Sequence, residues 1–338
     1  MQCHNILSLA DDTLTDVLVK SYTRSTDVIT VCKRFYNLLK VAATRAIITN
    51  PRGLARLQGM IQIHDVQLDR IGAKDSSFML PPNVCLKKLH LLNASLHMLT
   101  SDVSMQLKHL EALTLSYCNN FTCLPASISQ LTMLQLLNLV DCTTLLEGIS
   151  HLSALQVLDL YNCVKLSSLP DSIGKLSALQ TLNLRDLPLT FLPDSIGNLS
   201  ALQSLDLSRN DVLTYLPKGI SNLSTLEFLN LSFCCRLRSL PDGISNLSAL
   251  QTLKLRTCPF LTSLPDSIGN LSALQSLDLS CCKALTDLPK GISNLSSLKH
   301  YENGLVTSVL RIYNERYGLN TDATLCYGGT PDELRMHP

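Results

Sequence analysis

The sequence predicts an α/β solenoid, a curved horseshoe with a parallel sheet on its concave face, and a small helical segment before it. Two observations predict this fold. An LxxLxL motif recurs along most of the 338-residue chain, and the stretch before it carries apolar residues at helical spacing. Self-similarity with a period of about 20–50 residues is the signature of a repeat architecture, so the repeats decide the fold class.

The repeat has a step of 24 residues, apart from one step of 21 and one of 23. The leucines that open its copies are Leu86, Leu110, Leu134, Leu155, Leu179, Leu202, Leu226, Leu250 and Leu274, and Leu298 opens a degraded last copy. The segment LPDSIGNLSALQSLDLS occurs unchanged at 192–208 and 264–280, three repeats apart. We infer that a three-repeat block was duplicated.

Each LxxLxL motif contains a short strand whose leucines alternate toward the core, as Leu202, Leu205 and Leu207 do. The turn after the strand leaves backbone groups unpaired, which an Asn or Cys side chain can satisfy. That position holds Cys118, Cys142, Cys163, Asn210, Cys234, Cys258 and Cys282. It takes six of the thirteen cysteines, and no CxxC occurs, so we interpret them as buried structural thiols.

A Leu-Pro pair then opens a segment suited to a short helical turn on the convex side. Ile196 and Leu199 are spaced to face the core. We expect Pro193 to set the start of the turn and the Asp194 side chain to cap its first free N–H groups.

The repeat resembles the leucine-rich-repeat family, in the LPxSIGxLxxLxxLxL form of plant intracellular and disease-resistance arrays, over roughly residues 86–301. It lacks the GxIP signature of extracellular plant repeats. The resemblance implies a protein that binds other proteins. The chain has no GxxxxGK(S/T) phosphate loop, which resistance receptors of the nucleotide-binding class need.

The cell compartment is expected to be the cytoplasm or nucleus. The start of the chain has no basic region and meets Asp11 and Asp12 early, so it does not read as a signal peptide, and no apolar run reaches membrane-spanning length. The sequons at Asn198, Asn222, Asn246 and Asn270 recur because NLS is part of the repeat.

Before the array, LADDTLTDVL and VCKRFYNLL resemble an F-box, whose pattern runs LPxExLxxIL and then VC(K/R)x(W/F)xxL. The residues on its characteristic positions are Leu9, Leu14, Val17, Leu18, Val31, Cys32 and Phe35. The resemblance implies helices that bind a Skp-family adaptor of a cullin ubiquitin ligase. The alternative is that these helices only cap the first repeat.

These patterns divide the chain into four regions. They are an F-box-like helical segment at 1–50, a linker or degenerate first repeats at 51–85, the leucine-rich repeats at 86–303, and a C-terminal cap and tail at 304–338. Residues 61–63 are a candidate first strand. In the last copy, His300, Tyr301 and Glu302 replace strand-like residues, which suits a polar outer cap.

Residues that flank the strand leucines project from the concave face and are expected to carry recognition. Aromatic and arginine side chains most often dominate binding energy. The candidate patch for a protein target is therefore Tyr161, Arg185, Arg209, Phe228, Phe233 and Arg256. The alternative is a mixed charged face that only keeps the array soluble.

No catalytic, cofactor or metal motif occurs, and the eight histidines are scattered, so we expect no enzyme activity. The 28 basic and 27 acidic residues give no charge argument for a nucleic-acid or membrane partner. Two functions remain open. One is the substrate-recognition subunit of a Skp–cullin–F-box ubiquitin ligase, and the other is a stand-alone repeat protein of defence or signalling without adaptor binding.

Overall fold

A computed structural model describes residues 45–48, 64–69, 85–92, 106–116, 126–141 and 147–303. Within these ranges the chain forms twelve strands and eight 3-10 turns. The strands are β1 Arg45–Ile48, β2 Asp65–Asp69, β3 Lys88–Leu92, β4 Ala112–Ser116, β5 Leu136–Leu139, β6 Val157–Asp159, β7 Thr181–Asn183, β8 Ser204–Asp206, β9 Phe228–Asn230, β10 Thr252–Lys254, β11 Ser276–Leu279 and β12 His300–Asn303. The 3-10 turns are Ala126–Gln130, Glu147–His151, Asp171–Lys175, Asp194–Asn198, Lys218–Asn222, Asp242–Asn246, Asp266–Asn270 and Lys290–Asn294.

The chain divides into two compact units, residues 1–142 with 148–155, and residues 143–147 with 156–338. In the first unit β1 to β5 pair in chain order, and every pair is parallel. In the second unit β6 to β12 do the same. Within each unit, each strand thus pairs with the strand of the next repeat, which confirms the predicted solenoid with a parallel sheet.

The core of each turn of the solenoid is a set of leucines and one isoleucine. In the repeat around β8, Leu202, Leu205 and Leu207 are fully buried from the strand side, and Ile196 and Leu199 from the turn side. Burying such a side chain contributes about 1.5–3 kcal/mol. The regular leucine spacing therefore supplies most of the apolar driving force of each repeat.

The sheet starts before Leu86, where the regular repeat begins: β2 lies in the region left open as a linker or degenerate repeats, and β1 lies at the end of the segment predicted to be helical. Both strands precede Leu86, and Val66 of β2 is fully buried opposite Leu89 of β3. Their sequences, RAII and DVQLD, carry no LxxLxL motif. The candidate strand at residues 61–63 lies outside the described residues.

At the other end, the degraded last copy still forms a strand, β12. It pairs with β11 in unbroken register, with Tyr301 opposite Leu277. The N–H groups of Lys299 and His300 both donate to the carbonyl of Gln275, at 2.8 and 2.9 Å. The backbone N–H and C=O groups of β11 thus pair with one more strand, because the hydrogen bonds between strands do not depend on side-chain type.

The 3-10 turns begin differently from the prediction. Pro193 is itself the N-cap, with φ −68° and ψ 147°, and no side chain caps the turn that follows. The predicted capping role of Asp194 is wrong. Its Oδ1 instead accepts the N–H of Gly219, in the turn of the next repeat, at 3.2 Å. Asp194 follows the cap residue, so its carboxylate points to the neighbouring turn rather than back to its own.

Candidate interaction surface

The sheet face of the second unit consists of the residues that alternate with the buried leucines on β6 to β11, together with the two residues that follow each leucine pair. All six residues predicted as a binding patch lie on it. Tyr161 is 42% exposed and Phe233 36%, the three arginines are exposed, and Phe228 is half-buried. The strand side of the repeat therefore presents large side chains to solvent on a backbone held by the sheet.

Three cations on this face lie over aromatic rings of the neighbouring repeat. Arg185 lies 5.7 Å from the Tyr161 ring centre, and Arg209 lies 5.2 Å from that of Phe233. Lys254, which the sequence prediction left out of the patch, lies 5.5 Å from the ring of Phe228. Parallel strands about 4.8 Å apart bring side chains of adjacent repeats into contact. These cation–ring pairs could have been found by aligning the repeat sequences and comparing the exposed strand residues of adjacent repeats.

One residue per repeat adopts a left-handed backbone, at the position before the buried turn residue. These residues are Asp141, Asn162, Asp186, Arg209, Phe233, Thr257 and Cys281, with φ of 57–66°. Asn and Asp tolerate this conformation, and bulky side chains do not. The Arg209 and Phe233 N–H groups donate to the carbonyls of Ser232 and Arg256, at 2.9 and 2.7 Å, and so hold the strained backbone in place.

The acidic side chains at or near the ends of three strands turn back onto the backbone. The carboxylate of Asp159 accepts the N–H of Tyr161 at 3.0 Å, and that of Asp206 accepts the N–H of Ser208 at 2.8 Å. Asp278 accepts both the N–H and the hydroxyl of Ser280. These carboxylates therefore fix the turns after β6, β8 and β11, and Asn183 and Asn230 do the same after β7 and β9.

Beneath the face, the buried turn residues bind backbone carbonyls, as predicted. The Asn210 amide donates to the carbonyls of Leu184 and Leu207, at 2.8 and 2.7 Å. The thiols of Cys234, Cys258 and Cys282 each donate to a leucine carbonyl of the preceding repeat, at 3.0–3.2 Å. Cys118 and Cys142 lie outside the described residues.

Two of these buried thiols, those of Cys234 and Cys258, are held in their protonated form, whereas the hydrogen bond with Cys258 lowers the pKa of Cys282. Burial raises the pKa of Cys234 to about 12. The hydrogen bond with Cys282 and then burial raise the pKa of Cys258. A thiol without thiolate character is a poor nucleophile and metal ligand. Among the residues that the structure describes, no group of His, Cys, Asp and Glu is placed to hold a metal ion.

The seven residues of the F-box-like pattern lie outside the described residues, so the adaptor-binding surface stays a prediction. They are Leu9, Leu14, Val17, Leu18, Val31, Cys32 and Phe35.

Comparison with known proteins identifies the repeat. Residues 161–236 and 223–315 match the family described as leucine-rich repeat region. The fold is a leucine-rich-repeat solenoid. No curated protein sequence matches the chain at a significant level.

Solved leucine-rich-repeat structures resemble the chain. The leucine-rich repeat domain of the type III effector XopL is 29% identical, with a TM-score of 0.54, covering 60% of this chain and 71% of that one. Toll in the glycosylated Toll–Spatzle complex of Drosophila is 21% identical, with a TM-score of 0.62, covering 80% of this chain and 38% of that one. An internalin of Listeria monocytogenes is 16% identical, with a TM-score of 0.53, covering 82% and 77%. The last two support the fold alone.

Leucine-rich-repeat solenoids are typically non-catalytic scaffolds whose extended surfaces bind proteins. The sheet face described above is a surface of this kind. In the described part of the chain, no helix has the length and apolar character to cross a membrane.

Proposed function

We propose that this protein is a non-catalytic substrate receptor that captures a protein target on its sheet face and connects it to a Skp–cullin–F-box ubiquitin ligase. The observation that carries the target-binding half is the set of cation–ring pairs between adjacent repeats. Aromatic and arginine side chains dominate binding energy when a partner covers them. The sheet holds these side chains in place before the partner arrives, which reduces the entropy that binding must overcome.

The backbone at Arg209 and Phe233 supports the same proposal. A left-handed conformation at an L-residue costs roughly 1–2 kcal/mol. Three repeats use Asp141, Asn162 and Asp186 there, which lowers that cost, and two use the smaller Thr257 and Cys281. Stability alone would thus favour Asn or Asp at Arg209 and Phe233, whereas binding explains a strained, exposed arginine–phenylalanine pair.

The adaptor-binding half is supported by the F-box-like pattern, with VCKRF at residues 31–35 as its most distinctive part. We place the protein in the cytosol or nucleus. Support comes from Cys234, Cys258 and Cys282, which are free thiols that donate hydrogen bonds, as is usual in a reducing compartment.

Target binding can be tested by selecting a displayed library of random peptides on the purified full chain. We expect the selected peptides to lose about tenfold or more in affinity on the Arg209→Asn/Phe233→Asn variant, the equivalent of at least about 1.4 kcal/mol. The matched control is Arg238→Asn/Phe260→Asn, which removes an exposed arginine and an exposed phenylalanine outside the sheet face. Equal loss in both variants, or no selected peptides, would contradict binding at this face.

Adaptor binding is tested by a pull-down of the purified chain with a Skp-family adaptor. Wild type should bind, and Val31→Asp/Phe35→Asp should not, while circular dichroism shows that the variant stays folded. The Arg209→Asn/Phe233→Asn variant should bind the adaptor normally. If wild type does not bind, the ligase role fails, and the protein is a stand-alone leucine-rich-repeat protein of defence or signalling.

A further inference from the structure

Four cations on the sheet face have no ionic partner among the residues that the structure describes. Arg185, Arg209, Lys254 and Arg256 form no ion pair with any residue that the structure describes, although Lys87 and Glu111 in the other unit form one at 2.8 Å. Three of the four lie over aromatic rings. A ring orients a cation but leaves its charge in place. The face therefore presents fixed positive groups that a partner can pair.

The acidic residues of the same face form no ion pair with these cations in the described part of the chain. Asp159, Asp206 and Asp278 direct a carboxylate oxygen at backbone N–H groups of their own turns. Asp186 and Asp211, in the loops after the strands, form no ion pair with the four cations. A carboxylate that accepts local hydrogen bonds is less available to an incoming cation. The groups free to make new charge-assisted contacts are thus the cations.

The spacing of the cations fits an extended peptide. Arg185 follows β7, Arg209 follows β8, and Lys254 and Arg256 lie at the end of β10 and just after it. From β7 to β10 there are three strand separations, about 14 Å at about 4.8 Å per strand. In an extended peptide, side chains on one side recur about every 6.8 Å. Acidic residues at positions i, i+2 and i+4 span the same length.

We infer that the sheet face between β7 and β10 binds an extended acidic segment of the target protein, with Asp or Glu at alternate positions pairing with Arg185, Arg209, Lys254 and Arg256. This rests on the proposed function. The interleaved carboxylates of Asp206 and Asp278 favour a peptide over a nucleic acid, because a continuous phosphate backbone would pass close to them, whereas a peptide can place neutral residues there.

The test measures fluorescence anisotropy of labelled (Glu-Ser)6 and (Gln-Ser)6 peptides with the purified full chain. We expect the glutamate peptide to bind at least about tenfold more tightly. Added salt should weaken it, because exposed charges are screened. The Arg185→Gln/Arg256→Gln variant should lose that advantage. The control, Arg236→Gln/Arg238→Gln, removes the same charge at exposed positions outside the face and should bind like wild type.

Equal binding of the two peptides, or equal loss in the two variants, would overturn the inference. Tighter binding of a thymidine oligonucleotide of similar length, with the same dependence on Arg185 and Arg256, would also overturn it, in favour of a nucleic acid. If the peptide test fails while selected library peptides still require Arg209 and Phe233, the proposed function stands without an acidic partner. If neither test finds face-dependent binding, both fail.

Discussion

Arg209 and Phe233 combine two properties that rarely occur together, a left-handed backbone and a large exposed side chain. Their side chains contact each other, with the guanidinium 5.2 Å from the ring centre. A cation–ring contact at an exposed site contributes about 0.5–1 kcal/mol, which is less than the roughly 1–2 kcal/mol that a left-handed residue costs. The pair therefore does not offset the strain at either residue, let alone at both.

This balance predicts a variant that is stable but binds poorly. Phe233→Asn should leave the free energy of unfolding unchanged or raise it by about 0.5 kcal/mol, because Asn accepts a positive φ. Urea denaturation measures the change. Tyr215→Asn, another exposed aromatic residue but without a positive φ, lacks that gain and is the control. A loss above about 1 kcal/mol in Phe233→Asn alone would contradict the assignment of strain.

The buried turn position gives a second prediction at this scale. Asn210→Ala leaves the carbonyl of Leu184 without its side-chain donor and leaves that of Leu207 with only the thiol of Cys234, which should lower the free energy of unfolding by about 1–2 kcal/mol. Asn210→Cys should lose clearly less, because a thiol at this position donates to the preceding repeat, as that of Cys234 does. Thermal denaturation measures the stability of both variants. Equal losses of stability in Asn210→Ala and Asn210→Cys would contradict the idea that a thiol can replace the amide.

At the scale of the element, glycine residues allow adjacent 3-10 turns to pack closely against each other. A Cβ at Gly219 would overlap the backbone oxygen of Asp194 in the preceding turn, and one at Gly197 would overlap that of Gly219. The same backbone oxygens meet at Gly269 and Gly291 in the duplicated block. Adjacent turns therefore pack backbone against backbone, and Asp194 adds its hydrogen bond to the Gly219 N–H.

Close packing of the turns predicts opposite effects for two glycine variants. Gly219→Ala should destabilise by about 1–3 kcal/mol, because the added methyl group forces the turns apart. Gly148→Ala should be neutral or stabilising by up to about 1 kcal/mol, since nothing lies within 4 Å of its added Cβ. Chemical denaturation of the two variants measures the difference. Similar effects of the two variants would contradict the close packing of the turns at Gly219.

For the whole molecule, the sequence predicted the features that recur in every repeat and missed the contacts that join one repeat to the next. The leucine period gave the strands, and the Asn or Cys position gave the buried hydrogen bonds. The bond from Asp194 to Gly219 was missed because it crosses between repeats. β2 lies in the region left open as a linker or degenerate first repeats, because DVQLD carries no leucine motif. β1 was missed because RAII, which also lacks the motif, ends the segment predicted to be helical. The binding patch was predicted by residue type, but the partners of its rings required the lateral arrangement of the strands.

The compartment gives a prediction for the intact chain. Asn198, Asn222, Asn246 and Asn270 are exposed, each in an Asn-Leu-Ser sequon. A cytosolic or nuclear protein never meets the glycosylation machinery, so the intact mass of the natively expressed protein should carry no glycan at these sites. A mass decrease on treatment with an N-glycosidase would contradict the proposed compartment.

The identical segments at 192–208 and 264–280 lie in the same place in their repeats, each with one 3-10 turn and one strand. Every contact described between turns joins a repeat to the one beside it. Unequal recombination between the two coding segments would therefore remove or add three whole repeats, and each junction would still join surfaces that already fit. The gene should vary in length among individuals by whole repeats, while the sheet register is preserved.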